Sequence, residues 1–262
     1  MRKDTPVYPL DGTDFFVDAL KGEFREVGNT YNKIPFGEMT MWDDHYDLLY
    51  NKEVKNTPMD CFNPDNMVIL RVPMIKDLDP DGFSKKHGVA IGELKGKTDF
   101  ELIFNQEVFK QLTTEGYIRQ VTIYDHVFEV DLYTGQLHSE DGTLPSIRLS
   151  DFSENWYGKL FGYYDTITGL MVKPEDIKGL PISEHTIRIE IASAIHLDQV
   201  TFSKIYGLSI KDTLWRHPPD LKITAKEKPL SQSAIGKQFN SRAKVADEKT
   251  HSSRRKKSRG LN

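Results

Sequence analysis

Apolar residues fall at every second position through Val68, Leu70 and Val72, and they do so again through Ile187, Ile189 and Ile191. Period two marks a strand with one buried face, because successive side chains leave the backbone on opposite sides. Each run leads into nearly the same words: DPDGFSKKHGV from Asp79 and DQVTFSKIYGL from Asp198, 119 positions on. In both, an aspartate reads as a helix N-cap, a phenylalanine (Phe83, Phe202) as the core contact and a glycine (Gly88, Gly207) as the left-handed stop. Pro80 stands at the first helical position, where a missing N–H costs nothing. Ser209 and Asp212 then form a variant capping box for a short second helix, whereas Ala90 and Gly92 make its counterpart weaker.

The likeness continues upstream at a spacing of 113. DFFVDALKGEFRE (Asp14–Glu26) lies over VFEVDLYTGQLHS (Val127–Ser139), so that Phe15/Phe128, Val17/Val130, Asp18/Asp131 and Gly22/Gly135 coincide. Each stretch reads as two strands around a Lys-Gly or Thr-Gly turn. IPFGEM (Ile34–Met39) then matches IRLSDF (Ile147–Phe152), and Trp42 and Tyr50 fall on Trp156 and Tyr164. Several identities in one order, with small drifts in spacing, predict an internal duplication. The expected fold class is α+β: two tandem copies of a small strand-rich unit, each closed by a capped helix pair, followed by a disordered C-terminal tail. The expected boundaries are 1–97 for the first copy, 98–119 for a strand–helix connector, 120–216 for the second copy and 217–262 for the tail. In the connector, Thr98–Phe104 reads as a strand, and a helix capped by Asn105 and stopped by Gly116 follows.

Charge sharpens this division. The whole chain has a formal charge of −4, yet residues 217–262 carry 12 Lys/Arg against 4 Asp/Glu. The remaining 216 residues are left with 23 basic and 35 acidic side chains, an acidic body beside a basic tail. That tail has few large apolar residues with which to offset its ordering entropy. Cys61 is the single cysteine, so no intrachain disulfide is possible. The N-terminus lacks an apolar h-region and no run of 18 apolar residues occurs, which predicts a soluble, cytoplasmic protein without membrane contact.

Candidate chemistry is sparse. Asp18 and Asp131, each just before a turn, read as side chains bonding local backbone N–H groups, not as paired catalytic carboxylates. The sharpest unshared cluster is WDDHYD, where Asp43, Asp44, His45 and Asp47 offer hard and borderline ligands to a divalent metal. They define the alternative to a binding role, a metal-dependent hydrolase or nuclease. There is no GxSxG elbow, and KGKT at Lys95–Thr98 imitates only the end of a phosphate loop. No cofactor is expected. The helix–Gly–helix pattern FSKKHGVAIGELKGK loosely resembles a helix-turn-helix and the first helices of LysM modules, but its second helix is short and set in an acidic body. Arg254, Arg255, Lys256, Lys257 and Arg259, with no acid among them, are the candidate nucleic-acid contacts, neutralising phosphates without reading bases. The tail lacks interleaved aromatics, so it offers no platform for stacking on single strands.

DGTDFFVD, IPFGEM, DPDGFSKKHGV, ELKGKTDFE and the terminal RRKKSRGLN together resemble uncharacterised proteins of Bacteroidetes conjugative plasmids and transposons. The resemblance implies a cytoplasmic accessory role near DNA mobilisation and supplies no catalytic residues. The expected function is a non-catalytic interaction protein whose acidic body binds a protein partner and whose tail contacts nucleic acid or another polyanion.

Overall fold

The computed structural model describes residues 5–58, 63–177 and 185–230. Its strands and short helices make a mixed α+β architecture, as the period-two runs and the helix caps predict. The chain divides into two compact units. One comprises the residues up to Tyr117 together with Ser203–Pro218; the other comprises Ile118–Phe202 together with the described residues from Pro219 onward.

The first unit opens with a four-stranded antiparallel meander of β1 (Val7–Leu10), β2 (Thr13–Asp18), β3 (Glu23–Glu26) and β4 (Lys33–Pro35), in that spatial order. Asp11 and Gly12, both at positive φ (45° and 76°), form the two-residue turn whose twist suits a tight hairpin. Alternation sends Phe15 and Val17 of β2, Phe24 of β3 and Ile34 of β4 fully inward. A three-stranded sheet follows, with β6 (His45–Asn51) between β5 (Thr40–Met41) and β7 (Met67–Pro73). It buries Met41, Tyr46, Leu48, Tyr50 and Val72. The chain then turns through α1 (Ile75–Leu78) into α2 (Pro80–His87). Asp79 caps α2 through Gly82 N–H at 3.0 Å, and Gly88 closes it at φ 69°. The other Asp79 oxygen accepts Ala19 N–H at 2.9 Å, so the same carboxylate also ties the helix to the β2–β3 hairpin.

The sequence expectation of a strand after Thr98 is corrected. Asp99–Ile103 is helix α3, opened by a reciprocal capping box in which Thr98 Oγ1 accepts Glu101 N–H and Glu101 accepts Thr98 N–H at 2.7 Å. Two satisfied backbone donors outweigh the weak period-two pattern of that short run. Helix α4 (Gln106–Thr113) follows, capped by Asn105 as expected.

The second unit contains β8 (Gln120–Ile123), β9 (His126–Asp131), β10 (Gln136–Ser139) and β11 (Ile147–Arg148) in one antiparallel meander. Next come β12 (Ser153–Glu154), β13 (Leu160–Asp165), β14 (Met171–Val172), α5 (Pro174–Ile177), β15 (Thr186–Ile191), α6 (Ala194–Leu197) and α7 (Gln199–Tyr206), within which the division between the units falls. Phe128, Leu137, Ile147, Tyr164, Ile189 and Leu197 pack in one core cluster. The Tyr164 hydroxyl is buried in it with no hydrogen-bond partner among the described residues, and burial pushes it up to about 12. Tyr164→Phe removes that uncompensated polar group at nearly constant shape. It is expected to stabilise the second unit by about 1 kcal/mol, read as a rise of several degrees in its melting temperature.

Two boundary expectations fail. Helix α8 (Ile210–Arg216), expected to close the second copy, belongs to the first unit. Met41 lies on an edge strand, and α8 satisfies its backbone: Ser209 Oγ donates to Met41 O at 2.5 Å, and Asp212 accepts Met41 N–H at 3.1 Å. Arg216 donates to Gly37 O and Met39 O, both at 2.6 Å. The tail expectation also fails for residues 217–230. Ile223–Thr224 forms β16, parallel to β8, and Lys226–Pro229 forms β17, antiparallel to β15. Ile223, Ala225 and Leu230 are buried. Open sheet edges and these three buried apolar residues supply what the average composition of the tail concealed. The rest of the expected tail lies outside the described residues.

Candidate functional site

The first unit contains a pocket of about 290 Å³ lined by the β2–β3 turn, α2 and α8. Phe36, Phe83 and Trp215 supply aromatic walls, while Lys21, Lys86 and His87 supply basic groups. The turn residue Gly22, at φ 77°, admits this arrangement. A Cβ there would lie 2.8 Å from Lys86 Nζ, so the absence of a side chain lets the lysine reach over the hairpin. The His87 ring lies against Phe83, centroids 4.5 Å apart and planes tilted by 43°; burial first, and the Lys86 charge second, hold its pKa below the ordinary value. Such a cavity can take one apolar side chain or small ring bearing an acidic group.

Beneath the pocket lies a polar network that sequence reasoning missed. Asp99, fully buried, accepts Tyr46 O–H at 2.9 Å, Ile75 N–H at 2.8 Å and Lys76 N–H at 3.2 Å. Burial raises its pKa, and those hydrogen bonds oppose the rise. Tyr46 is held well above the usual phenol range by burial and then by the Asp99 charge. The capping pattern TDFE is the sequence signal that could have placed Asp99 at a helix start. Nothing in the sequence announces that Tyr46, 53 residues earlier, meets it.

The residues picked out by sequence fare unequally. Asp18 accepts Lys21 N–H at 3.1 Å, and Asp131 accepts Tyr133 N–H at 2.9 Å and Thr134 N–H at 3.1 Å. Both are turn-forming carboxylates, as expected. In the WDDHYD cluster, Asp43 pairs with Lys211 of α8 at 2.7 Å. The two ring nitrogens of His45 lie 2.5 Å from Asp44 and 3.4 Å from Asp47. Asp44 is fully exposed to solvent, and the His45 hydrogen bond holds its pKa below the ordinary value. The four side chains therefore do not converge on one point: a lysine occupies the first and the histidine separates the others. Among the described residues no three His, Cys, Asp or Glu side chains are placed to hold a metal ion. Cys61 and the basic residues Arg254, Arg255, Lys256, Lys257 and Arg259 lie outside the described residues.

Trp156 departs furthest from expectation. The repeat pattern matched it with Trp42, yet it is 103% exposed, against 37% for Trp42. Its turn is firm: Asn155 Oδ1 accepts Tyr157 N–H at 2.9 Å and Lys159 N–H at 3.1 Å, and Gly158 takes φ 72°. The legible signal was the turn chemistry of Asn155 and Gly158 around two aromatics.

Among the described residues no helix is long and apolar enough to cross a membrane. In comparisons with known proteins, no family model, no curated protein and no solved structure matches the chain.

Proposed function

We propose that the chain is a non-catalytic accessory protein built from two related modules, binding a protein through its acidic body and nucleic acid or another polyanion through its basic C-terminal segment. Charge segregation is the observation that carries this reading: 35 acidic against 23 basic residues before His217, then 12 basic against 4 acidic after it. The pocket of the first unit supports the protein-binding half. Its volume of about 290 Å³ and its rim of Lys21, Lys86 and His87 suit an acidic or aromatic anchor residue from a partner.

The modular half of the reading is supported by parallel element orders. Each unit begins with a four-strand meander, continues through a short helical turn (Phe36–Glu38, Leu149–Asp151) into a second sheet, and passes from a long strand of that sheet (β7, β15) through two short helices. Equivalent core positions are filled alike, with Phe15 and Phe128, Ile34 and Ile147, and Tyr50 and Tyr164 all buried. A role near DNA mobilisation in a cytoplasmic setting is what the resemblance to plasmid and transposon proteins implies.

Salt-gradient elution from immobilised DNA tests the tail. The full chain is expected to be retained and to elute with rising salt, whereas a variant with Arg254, Arg255, Lys256, Lys257 and Arg259 all changed to serine should elute markedly earlier. Unchanged elution would remove the tail from the proposal.

A further inference from the structure

The second sheet of the second unit runs β12-β13-β15-β17, and its two faces differ in chemistry. One carries Leu160, Tyr164, Ile187, Ile189 and Ile191 into the core. Strand register puts Phe161, Glu190 and Lys226 side by side on the opposite face, followed by Tyr163, Arg188 and Lys228. α5 and Leu230 cover the Tyr163 end: Ile177 and Leu230 pack against that ring. The Phe161 end adjoins the β12–β13 turn, where Trp156 and Tyr157 stand 103% and 89% exposed on the firm Asn155 turn.

We infer that this half-open face and its aromatic turn form a binding platform for single-stranded nucleic acid. Three observations select that occupant. Trp156 and Tyr157 at the tip offer flat, water-facing rings for bases, and on the sheet the half-buried Phe161 carries the Arg188 guanidinium 4.9 Å above its centroid, which presents a second planar cation beside them. The cations are interleaved with them. Lys159, Arg188, Lys226 and Lys228 outnumber the two acids beside them: Glu190, which lies 3.7 Å from Lys159 and 4.0 Å from Arg188, and Glu154, whose carboxylate borders the turn at Gly158. Finally, β17 ends at Pro229, from which the chain runs into residues 231–262 with nine Lys/Arg and two Asp/Glu. Stacking rings among cations is the combination that recognises unpaired bases on a phosphate backbone, whereas a duplex hides its base faces.

The inference rests on the nucleic-acid half of the proposed function, and the test separates the two. Fluorescence anisotropy of a labelled oligothymidylate of about fifteen nucleotides, and of the matching duplex, is followed against the full chain at several salt concentrations. W156A/Y157A is expected to weaken single-strand binding by about tenfold or more, to leave the salt slope unchanged and to spare duplex binding. Trp156→Phe should retain most of the affinity, because a ring remains. Both side chains are exposed, so an unchanged thermal melt will show that the fold is intact. The five-serine tail variant should instead flatten the salt slope for both ligands. If the tail variant loses binding and W156A/Y157A equals wild type, the platform is wrong and the tail reading stands. If the aromatic variant alone loses binding, the platform stands and the tail reading falls. Wild-type protein that retains neither ligand overturns both.

Discussion

Asp99→Ala is expected to destabilise the first unit by about 3 kcal/mol, because it strips the acceptor from three buried donors at once. Tyr46 O–H and the N–H groups of Ile75 and Lys76 all point at that carboxylate, which has no solvent exposure. Trp42 and Trp215 lie in the first unit and Trp156 in the second, so denaturation followed by fluorescence in a Trp156→Phe background reports the first unit alone. An unshifted midpoint there would mean that the network contributes nothing. The same carboxylate sets a pH dependence. Burial raises the folded-state pKa of Asp99 above its unfolded value, so between the two the folded state binds more protons than the unfolded chain. Stability from this group is then greatest at low pH and declines as pH rises through the folded pKa. Asp99→Asn lacks that titration, so the stability of wild type relative to Asp99→Asn should fall with rising pH and level off above the folded pKa. A difference that stays flat, or one that grows with pH, would contradict the assignment.

Leu214→Ala is expected to cost about 2–5 kcal/mol, and to cost it in the first unit. Leu214 is fully buried on α8, a helix that follows the second unit in sequence while its Ser209, Asp212 and Arg216 side chains hold the backbone of residues 37–41 in the first. The Trp42 and Trp215 signal should shift to lower denaturant. Amide hydrogen exchange along β13 and β15 should report an unchanged second unit. Faster exchange in those strands with an unshifted first unit would assign α8 to the second unit, as the repeat pattern in the sequence had it.

Much of the local structure was readable from residues alone. The Asp79 and Asp198 caps, the glycine stops at Gly88 and Gly207, the β2–β3 and β9–β10 hairpins and the alternating β7 and β15 stand where pattern placed them. Strands β1 and β8 were missed. The Asp11-Gly12 turn was a usable hairpin signal for the first, but its partner run, VYPL, is short and interrupted by proline. The candidate site was less legible. The pocket gathers Lys21, Lys86 and Trp215 from three separate stretches of chain, and Trp156 was read through its likeness to Trp42 when its surroundings make it a surface residue.

Short-range chemistry, in which a side chain meets a backbone group within four residues, was thus determined by the sequence itself: caps, turns, the period of each strand and the separation of acidic from basic segments. Tertiary structure alone decided where α8 docks, that Ile223–Pro229 adds strands to open sheet edges, that Asp99 lies beneath Tyr46, and that one of two matched tryptophans is fully exposed while the other is partly covered. Each of those outcomes depends on which distant backbone groups and apolar surfaces are left unsatisfied once the local elements have formed, and no nearby residue carries that information.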